Sequence, residues 1–444
     1  MKKKLKDLLE GAKGNRLVSN YIWVFLGQNA GAVFSMLSLI ITLRIISTFE
    51  YGALVVIQTY VTLISNLFCL RTFNGLIKYV TDAESASRGV EVKKYIFTSF
   101  LLDFGAGIIA FLFGIVLLEP ITVLMGWDAN IVKFINLYLP VIIFLPLING
   151  APVGILRKLG YFKQVNIIHA SVFGIQTIVL FITYIVGIKN FRVILIEYAL
   201  TETIECLVLL IYSLRIIQKN EKYKFFWKYG LSKDYSFVKY SLYYGLNSTF
   251  DQILGNVSTL LINKYVGNLA TAYIKVITRI CSLFTKLSNP VSQIFYPELC
   301  EWITKGKYRK AMKVSFNYFK IICLAGIVFL LVLFGTYDWW IIIFDPEMSN
   351  AKTQSFLYMI YTLLTISVVC INQLVFALDL VRENLIIVIV SDILYLVLLI
   401  PLIIMWGIYG YLLLQIIQLL IVAIFKYLFI RKKIYKLELL RNNI

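Results

Sequence analysis

The sequence predicts an all-α polytopic membrane protein, with twelve transmembrane helices in two six-helix halves that repeat in parallel around a central cavity. Three observations predict it. Of 444 residues, 60% are hydrophobic and 15% charged, whereas a soluble domain carries about 45 to 50% apolar and about 25% charged residues. Apolar runs of about 20 residues, enough to cross a hydrocarbon core roughly 30 Å thick, recur to the C-terminus. The 43 Lys and Arg, against 24 Asp and Glu, segregate to one side of those runs.

Cutting at charges, Pro and Gly gives spans near 18–46, 53–72, 94–118, 134–154, 166–188, 193–214, 238–262, 270–294, 313–336, 353–378, 385–405 and 410–430. The first follows a basic stretch, Met1 to Arg16, but shows no small-residue cleavage pattern, so it reads as a span and not as a cleaved signal peptide. With the N-terminus inside, 34 of the 43 Lys and Arg fall in inner segments and 5 in outer loops. This asymmetry puts both termini in the cytoplasm and makes the net charge of +19 a topology signal. A nucleic-acid partner is unnecessary to explain it. The expected divisions are an N-terminal six-helix half (17–214), a cytoplasmic linker (215–237), a C-terminal six-helix half (238–432) and a cytoplasmic tail (433–444). Outer loops are too short for an external catalytic domain. Pro140, Pro146 and Pro152 interrupt span 4, Pro290 span 8 and Pro401 span 11, as kinks or hinges.

The halves repeat at an offset of 220 residues: Arg44 matches Lys264, and Gly187-Ile188 matches Gly407-Ile408. Gln28, Gly31, Ser35, Ser38 and Thr42 in span 1 correspond at the same offset to Ser248, Asp251, Gly255, Ser258 and Ile262 in span 7. An even number of spans between equivalents makes the repeat parallel, as in transporters whose site lies at the repeat interface.

Span 8 carries the most informative pattern. Lys275, Arg279, Ser282, Lys286, Asn289 and Gln293 are spaced 4, 3, 4, 3 and 4, which puts all six on one helical face. Three cations facing lipid would cost roughly 8 to 10 kcal/mol on insertion scales, so the face meets water, a partner charge or a ligand. Ion pairing with Asp103, Glu202, Glu205 or Asp251 is the purely structural reading. Span 2 presents Gln58, Thr62, Ser65, Cys69 and Thr72 in a similar row, so spans 1, 2, 7 and 8 each offer a hydrophilic face to a wet cavity. Glu202 and Glu205, at i and i+3, could pass a proton or hold a Na⁺ ion, or serve as counter-ions. Asp251 is the acid expected beside the span 8 cations.

Other patterns carry less. The six cysteines imply no disulfide framework, and His169, the only histidine, removes His-rich metal sites and His-activated nucleophiles. Asp103-Phe104-Gly105 spells a kinase triplet but lies in an apolar span, and the sequons at Asn247 and Asn256 are intramembrane. Gly27/Gly31 and Gly150/Gly154 fit GxxxG, read as close helix packing. No GxxxxGK[ST] occurs, so the chain does not hydrolyse ATP by that motif.

The stretch Arg44-Ile-Ile-Ser-Thr-Phe-Glu-Tyr51-Gly52-Ala53, the run Leu156-Arg157-Lys158-Leu159-Gly160-Tyr161-Phe162-Lys163, and Tyr296-Pro297-Glu298-Leu299 with Gly306-Lys307 resemble segments of the Wzx-type polysaccharide repeat-unit flippases. These are the polysaccharide transporters of the multidrug/oligosaccharidyl-lipid/polysaccharide exporter superfamily, which shares its fold with the multidrug (MATE) exporters. The resemblance covers residues 17 to 432, and Asn268-Leu269-Ala270-Thr271-Ala272-Tyr273 departs from it by lacking Gly before Tyr. It implies a flippase, not an enzyme, that moves undecaprenyl-diphosphate-linked oligosaccharides from inner to outer leaflet by alternating access, for capsule, O-antigen or other exopolysaccharide assembly. The implied partners, besides this substrate and membrane lipids, are a polysaccharide polymerase and a chain-length regulator, and the implied place is the bacterial cytoplasmic membrane. No cofactor is expected beyond H⁺ or Na⁺ coupling.

The candidate substrate residues are Lys275, Arg279, Lys286 and Arg44, with Gln28, Gln58, Ser282 and Asn289 as polar lining. Asp251, Glu202, Glu205 and Asp103 are the candidates for cation coupling; no metal site is expected. Independently of the resemblance, an Arg fork and Lys point charges suit a diphosphate. A cation-coupled multidrug exporter is the main alternative, although a pocket for cationic drugs should be acidic. A membrane polymerase or glycosyltransferase is the second, without a sizeable loop or DxD pair to support it.

Overall fold

The computed structural model describes the backbone of residues 16–148, 150–224, 230–232, 234–344, 346–378 and 380–442. Within those ranges the side chains at 16–26, 28, 74, 78, 243–253, 286–298, 300, 301, 304, 346, 347, 381, 382, 385 and 440–442 fall outside the description. Among the described residues there are helices and no strands. Each of the twelve expected spans coincides with a helix or with a run of shorter helices. Eight apolar helical stretches are long enough to cross a membrane; the charged α9 and α11, defined below, are not among them.

The chain divides into two compact units, Met1–Leu260 and Leu261–Ile444. The division falls inside a helix and not in the linker at 215–237, because that linker and the start of span 7 pack on the first unit, as described below.

In the first unit the chain runs α1 (Arg16–Ile45), α2 (Thr48–Phe68), α3 (Thr72–Ser85), α4 (Gly89–Met125), α5 (Ala129–Tyr138), α6 (Val141–Ile148), α7 (Ala151–Lys158), α8 (Phe162–Val186) and α9 (Phe191–Lys219). The helix α10 (Tyr235–Val266) begins here. The turn from α1 to α2 has a local cause. Ser47 Oγ accepts the Glu50 N–H at 3.2 Å and Glu50 Oε2 accepts the Ser47 N–H at 2.9 Å, a reciprocal cap that satisfies two orphan donors at the helix start.

Span 4 is not one helix but three, α5 to α7, separated near Pro140 and Gly150, with Pro146 inside α6 and Pro152 in the first turn of α7. Proline removes a backbone donor and disfavours helix at the residue before it, so a triplet of prolines fragments the span. Span 2 is also interrupted: α2 stops at Phe68, Cys69 is extended, and Arg71 is left-handed (φ 44°, ψ 51°) before α3 begins. The sequence offered no proline there.

The linker is held at both ends. Glu84, at the end of α3, accepts Lys158 Nζ at 3.0 Å, Lys222 Nζ at 3.2 Å and the Tyr223 hydroxyl at 2.6 Å. Burial pushes the Glu84 carboxyl up, but these three donors outweigh it and hold it below the usual carboxylate range. Further on, Tyr95 donates to Asp234 at 2.8 Å, and Phe237 packs against Tyr79 and Tyr95 within a core of Leu76, Val80 and Ile96. Span 7 therefore starts as part of the first unit.

The second unit contains the end of α10, then α11 (Asn268–Thr304), α12 (Tyr308–Gly335), α13 (Tyr337–Ile341), a 3₁₀ turn (Pro346–Ala351), α14 (Lys352–Ser367), α15 (Val369–Ala377), α16 (Val381–Trp406) and α17 (Ile408–Asn442). One expectation is corrected here: α11 and α16 run through Pro290 and Pro401 without interruption. The expected tail continues α17 as helix to Asn442. The extension forms because it has an apolar partner. Ile430 and Ile434 join a core with Leu299, Ala311, Ile371 and Leu374, and Arg309 grips Glu438 with two bonds at 2.8 and 3.0 Å.

The offset of 220 appears in local structure. Arg44 and Lys264 each occupy the last turn of their helix, where a cation complements the helix dipole. Gly187 and Gly407 each end a helix with positive φ, at 76° and 58°, a conformation that costs glycine nothing. The outward residues are apolar: Ile178, Ile182 and Ile185 on α8, and Leu324, Val328 and Leu331 on α12, are each more than half exposed. Water would not tolerate such continuous surfaces, and lipid requires them. This is a multi-pass membrane protein.

Candidate functional site

The span 8 stripe lies on α11, whose opposite faces supply core: Ile274, Ile277, Ile280 and Cys281 are buried, while Lys275, Arg279 and Ser282 are half-buried. Lys275 and Arg279 stand one turn apart, so their charges repel. Arg279 lies eleven residues into the helix, about 16 Å along its axis at 1.5 Å per residue. Among the described residues neither cation has an ion-pair partner. The Ser282 hydroxyl donates to the Arg279 carbonyl at 2.7 Å, so it is engaged by its own helix. Lys286, Asn289 and Gln293 continue the helix, but their side chains lie outside the described residues. So do those of Gln28 and Asp251.

Four described acids of the first unit, Asp103, Glu197, Glu202 and Glu205, meet polar partners inside that unit, although Glu197 Oε2 is buried without one. Asp103 is 1% exposed and accepts the Thr72 hydroxyl at 2.7 Å and the Ala151 N–H at 2.5 Å. Thr72 and Ala151 are the first residues of α3 and α7. One carboxylate thus caps two helix starts, the ends at which partial positive charge collects. Gly150 makes this approach possible, because a Cβ there would overlap the Asp103 carboxylate. Glu205, 4% exposed, faces His169 Nδ1 at 2.7 Å. Glu202 accepts from the Tyr138 hydroxyl, which also meets Gln58 Nε2 at 3.4 Å. The Thr183 hydroxyl donates to Glu197 at 2.6 Å.

The polar face of span 1 packs on α8 and α9. Gly27 lies against Asn166 and Gly31 against the His169 ring. Ser38 hydrogen-bonds Thr177 at 2.9 Å and Thr42 bonds Tyr198 at 3.1 Å. Of the remaining candidates, Gln58 is half-buried and Arg44 is exposed in the last turn of α1.

Several partners escaped the sequence reading: His169, Tyr138, Tyr198 and Thr72. His169 was set aside for metal chemistry, and nothing local shows that α8 brings it to Glu205. Among the described residues no group of three His, Cys, Asp or Glu could hold a metal ion. In the second unit, Gln418 Nε2 donates to Asp392 at 2.8 Å and the buried Lys426 donates to Asn372 at 2.9 Å.

Comparison with known proteins agrees with this architecture. A family profile described as "Polysaccharide biosynthesis protein" matches residues 17–302. An inner membrane protein of Escherichia coli (strain K12), YghQ, is 24% identical over 155 residues, which is 35% of this chain and 43% of that relative's length. The match thus spans less than half of it. The fold matches an inward-facing multidrug resistance MATE family transporter of the MOP superfamily, with a TM-score of 0.75 at 14% identity over 92% of this chain and 95% of that one. It also matches a MOP superfamily transporter from Pyrococcus furiosus, described as having a binding pocket of reverse polarity, with a TM-score of 0.65 at 13% identity over 95% and 96%. At such identities the likeness is one of fold alone.

Proposed function

We propose, from the premise that this chain belongs to the polysaccharide biosynthesis protein family, that it flips undecaprenyl-diphosphate-linked oligosaccharides from the inner to the outer leaflet by alternating access. The observation that carries this reading is the pair Lys275 and Arg279, two like charges on one helical face with no carboxylate partner among the described residues. Like charges one turn apart destabilise each other unless an anion lies between them. A diphosphate supplies one, with oxygens for the guanidinium fork and for the ammonium. Water is shed from the headgroup on binding, and the preformed cations replace part of that hydration. The oligosaccharide crosses with the diphosphate while the isoprenoid chain keeps to the lipid-facing side of the protein.

Reconstitution tests this. In vesicles carrying a lipid-linked oligosaccharide on one leaflet, the purified protein is expected to expose the sugar to a lectin or glycosidase on the other side, and the double variant Lys275→Ala, Arg279→Ala to lose that activity. Transport of cationic dyes with no movement of the lipid-linked sugar would replace the flippase with a multidrug exporter.

Return of the empty carrier is where a cation gradient would act. We assign that role to Glu202 and Glu205, with Asp251, because Glu205 faces an ionisable ring in His169 and Glu202 a phenol in Tyr138. Asp103 is the weaker candidate, since it already caps two helices. The triple variant Glu202→Gln, Glu205→Gln, Asp251→Asn is expected to flip at the same rate with and without an imposed proton or Na⁺ gradient. A gradient response equal to the parent's would remove these residues from coupling.

A further inference from the structure

We propose that the first unit holds a lateral docking cleft for the isoprenoid chain of the lipid-linked substrate, at the interruption of span 2; this deepens the function proposed above and rests on it. The interruption follows the 21 residues of α2, about 31 Å of helix, and backbone outside a helix beside the hydrocarbon persists only where it is buried in protein or lines a cavity. Here it lines one. A cavity of about 360 Å³ is bounded by Leu67, Phe68 and Leu70 of the interrupted stretch, Leu101 and Ile109 of α4, and Leu242 of α10. That volume is within the range of ligand clefts, about 300 to 1,000 Å³.

The cleft's walls are apolar and its mouth opens outward. Leu67, Leu101, Ile109 and Leu242 are each 40 to 48% exposed, on a surface that faces lipid. Cations stand above it on the cytoplasmic side. Lys94 precedes Leu101 by seven residues and so shares its helical face, about 10 Å nearer the cytoplasm. Lys239 precedes Leu242 by three, again on the same face. The nearby Asp234 is engaged by the Tyr95 hydroxyl. An apolar slot under two ammonium groups fits an amphiphile with one chain and a multiply charged head. A prenyl diphosphate has that form, whereas a phospholipid brings two chains under a single phosphate.

Position 105 lines the same cleft, and a Cβ on Gly105 meets nothing within 4 Å. A side chain built at 105 therefore starts into open space at the edge of the cleft. The test uses the full-length protein in phosphatidylethanolamine and phosphatidylglycerol vesicles containing undecaprenyl diphosphate. With Gly105 replaced by p-benzoylphenylalanine, illumination is expected to attach the undecaprenyl chain, identified by adduct mass. Gly105→Trp is expected to lower flipping at subsaturating substrate roughly tenfold, the equivalent of losing burial of about two methylenes. Adducts with phospholipid alone would overturn the docking cleft. Retained binding of undecaprenyl diphosphate with no prenyl adduct at 105 would overturn the cleft but not the flippase, whereas no binding by the parental protein would overturn both.

Discussion

Arg279→Ala is expected to remove nearly all surface polysaccharide at equal membrane abundance. The guanidinium sits about 16 Å into α11, beyond the reach of easy snorkelling to either interface. Losing one charge-assisted contact to a dehydrated diphosphate is worth about 1.5 to 3 kcal/mol, or roughly 10- to 150-fold. Arg279→Lys keeps the charge and loses the fork, so partial export should remain. Lys286→Ala should be the mildest of the three, because that ammonium can extend toward the inner headgroups. Quantified polysaccharide against blotted membrane protein checks the order. Parental export by Arg279→Ala would mean that the α11 cations do not bind the lipid headgroup.

Gly150→Ala should destabilise the first unit with no group lost at all. The added methyl would occupy the space of the Asp103 carboxylate, forcing it off the Thr72 hydroxyl and the Ala151 N–H. A buried polar group deprived of its hydrogen-bond partners costs about 1 to 3 kcal/mol. Asp103→Ala should be comparably severe, since it strands two donors at helix starts, while Asp103→Asn keeps the shape and should be milder. Membrane abundance and melting in detergent measure this. Melting of Gly150→Ala at the parental temperature would show that the two interrupted spans do not depend on this carboxylate.

What was legible in the sequence and what was not divide along the same physical line. Spans and their number follow from hydropathy, because crossing a hydrocarbon core is a demand on each stretch of about 20 residues separately. The stripe on α11 was legible because a cation's insertion cost and the 3.6-residue period are both properties of one helix. Proline breaks in span 4 belong to the same class, since the missing donor acts on its own turn. Pro290 and Pro401 are the counter-examples: α11 and α16 continue through them.

Partners were not legible. That Asp103 caps α3 and α7, that Glu205 meets the only histidine, and that the polar face of α1 packs on α8 and α9 all depend on segments 31 to 156 residues apart in the chain. A carboxylate's identity says that it needs donors, not which helix brings them. The break in span 2 was equally silent: no proline or glycine marks residues 69–71, and the Thr72 hydroxyl just beyond it meets Asp103 of another helix. The sequence by itself determined a twelve-span membrane fold and a cationic helix face, since these arise from periodicity and solvent preference along single segments. Only the tertiary structure decided which polar groups are consumed in holding helices together, because desolvated charges take whichever donors packing brings within about 3 Å.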